Sequence, residues 1–227
     1  MEGSQDRTKL IALAVFALVA GGIVAAILIG RGGGDDDSTT AASASGCEQV
    51  EEPKAKNVSF PAAPKQIVKK GEEVTALVET SCGDFEIALD SQRAPKTVNS
   101  FVVLSQRGFY DGLGFHRVAP GFVIQGGDPQ GTGSGGPGYS VDEKPPANLA
   151  YTKGVVAMAK SSAEPPGRSG SQFFVVLTAD AGLPPEYALV GRVDEGLDTV
   201  ERIGELGTPA EKPKQTVLIE KISIDKG

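Results

Sequence analysis

The sequence predicts a mainly β fold: a closed antiparallel barrel of about eight strands capped by two α-helices, preceded by an N-terminal transmembrane helix and a flexible stalk. Three observations predict it. Short alternating or continuously apolar runs recur between Glu73 and Asp225, punctuated by Gly, Pro, Asn and Asp. Only two stretches in that span, one opening at Pro95 and one at Asp198, carry helical apolar spacing. An uncharged run from Leu10 to Gly30 stands apart from them, ahead of a tract without any apolar period.

Composition agrees with one globular domain plus appendages. The chain has 227 residues, and 40% apolar content is ordinary for a sequence that buries a core. Lys and Arg number 22 against 29 Asp and Glu, a formal charge of -7, and no basic block occurs in the body of the chain. Nucleic-acid binding is therefore disfavoured.

The N-terminal elements follow in order. Residues 1–9 are polar and are expected on the cytoplasmic side, with Arg7 and Lys9 just ahead of the apolar run. Residues 10–30 would span about 31 Å as a helix, enough for a bilayer core. A signal core is typically about 7 to 15 residues, so a retained signal-anchor is expected over a cleaved one. Ala42-Ser43-Ala44 could serve a signal peptidase but lies well past the run. The expected location is a single-pass membrane protein with its C-terminal domain extracytoplasmic. Residues 31–70 are expected as a linker: Gly32 to Gly46 is a Gly, Asp, Ser, Thr and Ala stalk, and Pro53 to Lys70 wraps the domain without a core of its own. The folded domain is then 71–227.

Both cysteines, Cys47 and Cys82, follow the apolar run, and an even pair in an oxidising compartment reads as one disulfide. Ala44-Ser45-Gly46-Cys47 loosely resembles a lipoprotein site but lacks the usual large apolar residue. A metal site would need more ligands than two Cys and the single His116 supply. Asn57-Val58-Ser59 is a glycosylation sequon.

Glu73 to Thr80 and Asp84 to Leu89 alternate as a hairpin turned by Ser-Cys-Gly. Pro95 suits a first helical position, Val98, Phe101, Val102 and Leu104 give a partial apolar stripe, and Gly108 ends the helix. Gly131, Gly133 and Gly136 formally match a dinucleotide pattern, but Pro137-Gly138 stands where its helix would start. Val155 to Met158, Gln172 to Val176, Leu189 to Arg192 and Val217 to Asp225 read as strands, and Asp198 to Leu206 as the second helix. Both faces of Gln172 to Val176 are apolar, so both want cover: Phe173 is expected in the core, and Phe174 either floors an external cleft or, as the pattern alone favours, is a second core aromatic.

The chemistry centres on Gly114-Phe115-His116-Arg117-Val118-Ala119-Pro120-Gly121-Phe122-Val123-Ile124-Gln125-Gly126-Gly127-Asp128. Two apolar runs flank a Pro-Gly corner, and alternation sets Phe115 and Arg117 on one face. Phe122, Val123 and Gln125 can face the same cleft. A cation, a greasy floor and an amide would line one pocket, although a lone Arg on a strand is more often merely exposed.

This segment resembles the signature of the cyclophilins, β-barrel peptidyl-prolyl cis-trans isomerases. The resemblance runs from about Val74 to Asp225 and includes Ala94-Pro95-Lys96-Thr97-Val98-Asn99-Ser100-Phe101, Gly131-Thr132-Gly133-Ser134-Gly135-Gly136, Met158-Ala159 and Gly170-Ser171-Gln172-Phe173-Phe174. With the anchor, it looks like a bacterial-like, membrane-tethered, extracytoplasmic member. The resemblance implies that Arg117 is the catalytic arginine. Phe122, Val123 and Phe174 look like the proline pocket, with Val123 where many relatives have Met. Gln125 and Gln172 look like the amides that hold substrate and arginine. Ala159 and Lys160 resemble the segment whose backbone binds the residue before proline, with Lys160 where relatives often carry Asn. Leu183 and Tyr187 resemble the far wall. His116 matches a His often found there, grouped with the substrate-binding residues, and a role as a structural hydrogen-bond partner is at least as open as a catalytic one. Gly182 falls near the position at which cyclosporin-sensitive members carry Trp, and Ser162 to Ser169 is longer than in compact members. No cofactor and no metal are implied.

Rotation about an X-Pro bond meets a barrier of roughly 18 to 20 kcal/mol because amide resonance must be broken. A donor aimed at the prolyl nitrogen and a dry socket for the ring would lower it. Arg117, always charged and rigidly forked, suits the first role; Phe122, Val123, Phe174 and Leu183 suit the second. The expected activity is peptidyl-prolyl isomerisation of exported or surface proteins by a chain expected to be monomeric. A proline-peptide binding or chaperone module with incidental catalysis is one alternative, and a tethered structural spacer another.

Overall fold

The computed structural model of the chain describes residues 46–227. Strands β1 (Val74–Thr80) and β2 (Phe85–Leu89) form the expected hairpin. Alternation buries Val74, Ala76 and Val78 of the first and Phe85, Ile87 and Leu89 of the second. Helix α1 (Pro95–Gln106) begins at the expected proline, and Gly108, at φ 64°, follows its end. Thr97 to Ser105 are all buried, so α1 is covered on every side and not only along the stripe its sequence suggested. Its first turn borrows an acceptor: both carboxylate oxygens of Glu143 receive amides, from Lys96 and Thr97.

The remaining elements are β3 (Leu113–Gly114), β4 (Arg117–Ala119), β5 (Val123–Gly126), β6 (Val141–Asp142), β7 (Val155–Met158), β8 (Arg168–Ser169), β9 (Phe173–Val176), β10 (Leu189–Glu195), α2 (Leu197–Glu205) and β11 (Leu218–Lys226). Nine strands make one antiparallel sheet in the order β3-β11-β1-β2-β10-β7-β9-β5-β4, while β6 and β8 pair separately. Its core centres on Phe173, whose ring meets Phe101 at 5.6 Å, Tyr110 at 5.7 Å and Phe115 at 6.3 Å, each edge to face. Gly127 is required here: at φ 83° it passes so close to β9 that a Cβ would lie 2.6 Å from the carbonyl oxygen of Ser171.

Two expectations are corrected. Among the described residues the barrel is not closed, and its main sheet has nine strands instead of eight. The end strands β3 and β4 are separated in the chain by Phe115 and His116 alone, so the sheet curls until its edges adjoin, yet no ladder joins them. The amides at the seam are committed elsewhere: Phe115 N–H donates to Val217 O at 3.0 Å and Val118 N–H to Glu211 O at 2.9 Å. The same seam overturns the pairing of Phe115 with Arg117 on one face. Phe115 lies outside both strands and is buried against Phe173, so strict alternation does not reach across to Arg117.

The expected single-pass membrane location with an extracytoplasmic domain is also corrected. Among the described residues no helix is long and apolar enough to cross a membrane. The longer helix, α1, has 12 residues, about 18 Å at the α-helical rise, against a bilayer core of about 30 Å. The segment 10–30 and the Ala42-Ser43-Ala44 sequence lie outside the described residues.

Residues 46–70 contain no helix or strand but are fastened along the domain. Cys47 and Cys82 form a disulfide. Glu48 N–H donates to Ser81 O, Lys56 N–H to Pro129 O and Phe60 N–H to Pro137 O, at 2.7, 2.7 and 2.8 Å. The bridge spans 35 positions, a loop whose closure is worth about 3 to 4 kcal/mol in the chain-entropy account. Cys82→Ser is expected to lower unfolding stability by about that amount in a urea titration; an unchanged midpoint would show that the bridge adds nothing to the fold.

Candidate active site

Strand registers assemble the site. Arg117 on β4 lies opposite Gln125 on β5, and Gln125 lies opposite Phe174 on β9. Laterally paired residues project to one face, so Arg117, Gln125 and Phe174 form a row across three strands. Val123, two residues before Gln125, shares that face and is buried. Phe173, next to Phe174, points the other way into the core, as the doubly apolar strand required.

A chain of polar contacts runs along the row. Arg117 Nε donates to Glu211 Oε2 at 2.6 Å and Nη1 to Gln125 Oε1 at 3.2 Å. Gln125 Nε2 donates to Gln172 Oε1 at 3.0 Å, and Gln172 Nε2 to the carbonyl of Gly135 at 2.9 Å. Phe122 sits at the β4–β5 corner, where Gly121 has φ 66°, and its ring centroid is 5.9 Å from Arg117 Cζ. That is the outer limit of a cation–π contact.

An aromatic wall stands on the other side of Phe174. Its ring meets Tyr187 at 5.5 Å and Tyr151 at 6.3 Å. Tyr151 Oη donates to the carbonyl of Tyr187 at 2.6 Å and accepts from the Tyr187 amide at 2.9 Å. Burial pushes the Tyr151 phenol up to about 12, so it stays a neutral donor. Leu183 packs half-buried against the core. Lys160 lies over the Tyr187 ring with Nζ 5.5 Å from its centroid, and its side chain is 4% exposed. That ammonium donates to Glu164 O and is paired with Glu186 at 3.2 Å, joining the loop after β7 to the far wall. The Ala159 amide donates to Gln172 O at 2.8 Å, whereas no bond occupies the Lys160 amide among the described residues.

Beside this row opens a cleft of about 750 Å³, lined by Gln125, Gln172, Ala159, Lys160, Tyr139 and the glycine-rich turn around Gly135. The turn is held from below by Asp128, which is 1% exposed and accepts the amides of Gln130 at 2.8 Å and Gly133 at 2.5 Å. Burial works to raise the Asp128 carboxyl, but the amides of Gln130, Gly135 and Gly133 outweigh it and hold the group below its ordinary value.

His116 lies behind the row, close enough to Gln172 for that side chain to act on its titration. It lines a separate cavity of about 450 Å³ between residues 52–55 and the sheet, with Asp128 and Lys212. Both ring nitrogens are buried without a hydrogen-bond partner among the described residues. Burial is the main cause that lowers its pKa, with Asp128 opposing. The folded state therefore takes up the imidazole proton at lower pH than the unfolded chain does, so stability falls as pH drops below about 6.5. His116→Gln is expected to flatten the thermal-midpoint profile between pH 7 and the lowered value; an unaltered slope would remove His116 from the acid response.

Glu211 and Tyr151 belong to the site although no sequence pattern marked them, and Gly135, quoted within a motif, had no role assigned to its carbonyl. Glu211 lies 94 positions from Arg117, and only the path of the chain after α2 brings the two together.

The curled antiparallel sheet with its two helices is the cyclophilin fold, and the chain belongs to that family. The family model described as cyclophilin type peptidyl-prolyl cis-trans isomerase/CLD matches residues 75–224. A peptidyl-prolyl cis-trans isomerase-like 1 of Gibberella zeae is 38% identical over 153 residues, covering 65% of this chain and 93% of the relative. A peptidyl-prolyl cis-trans isomerase of Arabidopsis thaliana is 35% identical and covers 67% of this chain and 93% of its own length. Among solved structures, a Cryptosporidium parvum cyclophilin type isomerase superposes with a TM-score of 0.63 at 33% identity, covering 68% of this chain and 99% of that one. The same protein in the presence of the dipeptide Ala-Pro superposes at 0.61. The chain is a cyclophilin-type peptidyl-prolyl cis-trans isomerase. Bacterial-like, membrane-tethered detail gains no support from these relatives.

Proposed function

We propose that the Arg117–Gln125–Phe174 row is where the isomerase rotates X-Pro bonds in polypeptide substrates. Arg117 donates a hydrogen bond to the prolyl nitrogen, whose lone pair becomes localised as the amide twists. Phe122, Val123, Phe174 and Leu183 hold the pyrrolidine ring in a dry socket, and Tyr187 backs Phe174. Gln125 and Gln172 orient arginine and substrate, and the main chain at Ala159 and Lys160 receives the residue before proline. His116 serves substrate binding only indirectly, through the seam it occupies. The isomerase domain is residues 71–227, and the cleft is complete within one chain, which supports action as a monomer.

The observation that carries this reading is the state of the guanidinium. Two of its nitrogens are held, by Glu211 and Gln125, beside the Phe122 ring. The third, Nη2, has no protein partner among the described residues and is left as a rigid charged donor. A prolyl-peptide isomerisation assay on the full chain tests it: turnover dependent on Arg117 supports the assignment, and tight peptide binding with negligible turnover would favour the binding-module alternative.

A further inference from the structure

The loop from Gly207 to Pro213, between α2 and β11, closes on itself and docks on the seam. Gly207 bridges Pro213, Lys214 N–H donates to Leu206 O at 2.7 Å, and Glu211 N–H donates to Thr208 O at 2.8 Å. Its backbone covers the free edge of β4: Glu211 O accepts the Val118 amide, and a Cβ on Gly207 would come within 2.7 Å of Val118 O. Within it Glu211 has φ 57°, the only positive φ of a non-glycine residue among the described residues. A Cβ is unfavourable in that left-handed region, where glycine fits best. A side chain kept there against that preference points to a task for it, and the carboxylate contacts Arg117 Nε.

We propose that Glu211 is a positioning residue for catalysis: with Gln125 it fixes the plane of the Arg117 guanidinium so that Nη2 is presented to the prolyl nitrogen. This rests on the reading of Arg117 as the donor. Nε and Nη1 are both occupied, and two anchored nitrogens define the orientation of a planar fork. Without the carboxylate the fork can turn about its last side-chain torsions, and the donor is misplaced when the amide twists. The neighbouring cation does not compete, because Lys212 Nζ is turned toward the carbonyl of His116 at 3.4 Å.

The test compares Glu211→Ala, Glu211→Gly and Glu211→Gln with Arg117→Ala in the full chain. Removing the carboxylate is expected to lower kcat about tenfold with KM little changed, since the interaction matters in the twisted state. Glu211→Gly also relieves the left-handed backbone, so its thermal midpoint should equal or exceed that of the parent while its kcat falls. Glu211→Gln keeps an acceptor for Nε and is expected to recover kcat to within about threefold. Parental kcat in the Gly and Ala variants, a change confined to KM, or a Gln variant as slow as Ala would overturn the proposal while leaving Arg117 in place. Parental activity in Arg117→Ala would instead remove the donor reading itself.

Discussion

Arg117→Ala is expected to lower kcat/KM for a prolyl peptide by about ten- to a hundredfold, with the fold intact. A hydrogen bond to a charged group is typically worth about 1.5 to 3 kcal/mol, and each 1.36 kcal/mol at the transition state is about tenfold in rate. The structure explains why stability should be spared. The side chain is 32% exposed and its ion pair with Glu211 is open to solvent, where such pairs contribute at most about 1 kcal/mol. Arg117→Lys is expected to recover little, because one ammonium cannot reach Glu211 and Gln125 while presenting a further rigid donor. Stopped-flow isomerisation beside a thermal melt checks both halves. Equal kcat/KM in the Arg and Ala proteins would take Arg117 out of the mechanism. A loss no larger than a hundredfold also means that the socket must supply the rest, by binding the twisted amide better than either planar isomer.

Phe173→Ala is expected to lower unfolding stability by about 3 to 5 kcal/mol, a large share of the 5 to 15 kcal/mol typical of a domain. Its ring is fully buried and is the meeting point of Phe101, Tyr110 and Phe115, so truncation leaves a cavity that three rings from separate segments cannot collapse to fill. Phe174→Leu, one residue along, keeps more of the buried volume and should cost less stability while lowering isomerase activity, because Phe174 faces the row that Arg117 begins. Urea midpoints and turnover for the two variants separate the roles. Similar stability losses with unaltered turnover in both would show that the two faces of β9 are not divided between core and cleft.

Much of this was legible from the chain. Strong local patterns fell close to the observed elements: Val155 to Met158 is β7, Pro95 opens α1, and Asp198 to Leu206 falls within one residue of α2 at each end. Arg117 and Gln125 could be set on one cleft because β4 and β5 form a short hairpin, in which register follows directly from sequence, whereas Phe174 joined them only through the cyclophilin resemblance. What escaped notice is non-local or too short to carry a period. Leu113–Gly114, Val141–Asp142 and Arg168–Ser169 are two-residue strands, and no alternation exists over two positions. The strand count and the closure of the barrel erred for that reason. Lys160 was read for its backbone alone, since nothing local says that its ammonium would be drawn across to Glu186 and the Tyr187 ring. Glu211 carries no motif, and its meaning depends on a loop returning to the edge of β4.

The pairing of the first strand with the last reaches beyond catalysis. Val74 opens β1 opposite Lys226 near the end of β11, and Gly227 N–H donates to Glu73 O at 3.2 Å. The sheet therefore takes up its first long strand and lets go of its last at one spot, from which residues 46–70 run on to the disulfide at Cys82. A fold with that property can be spliced into an exposed turn of a host protein without prying the host apart, and its two ends can be joined by a short peptide to make a permuted chain.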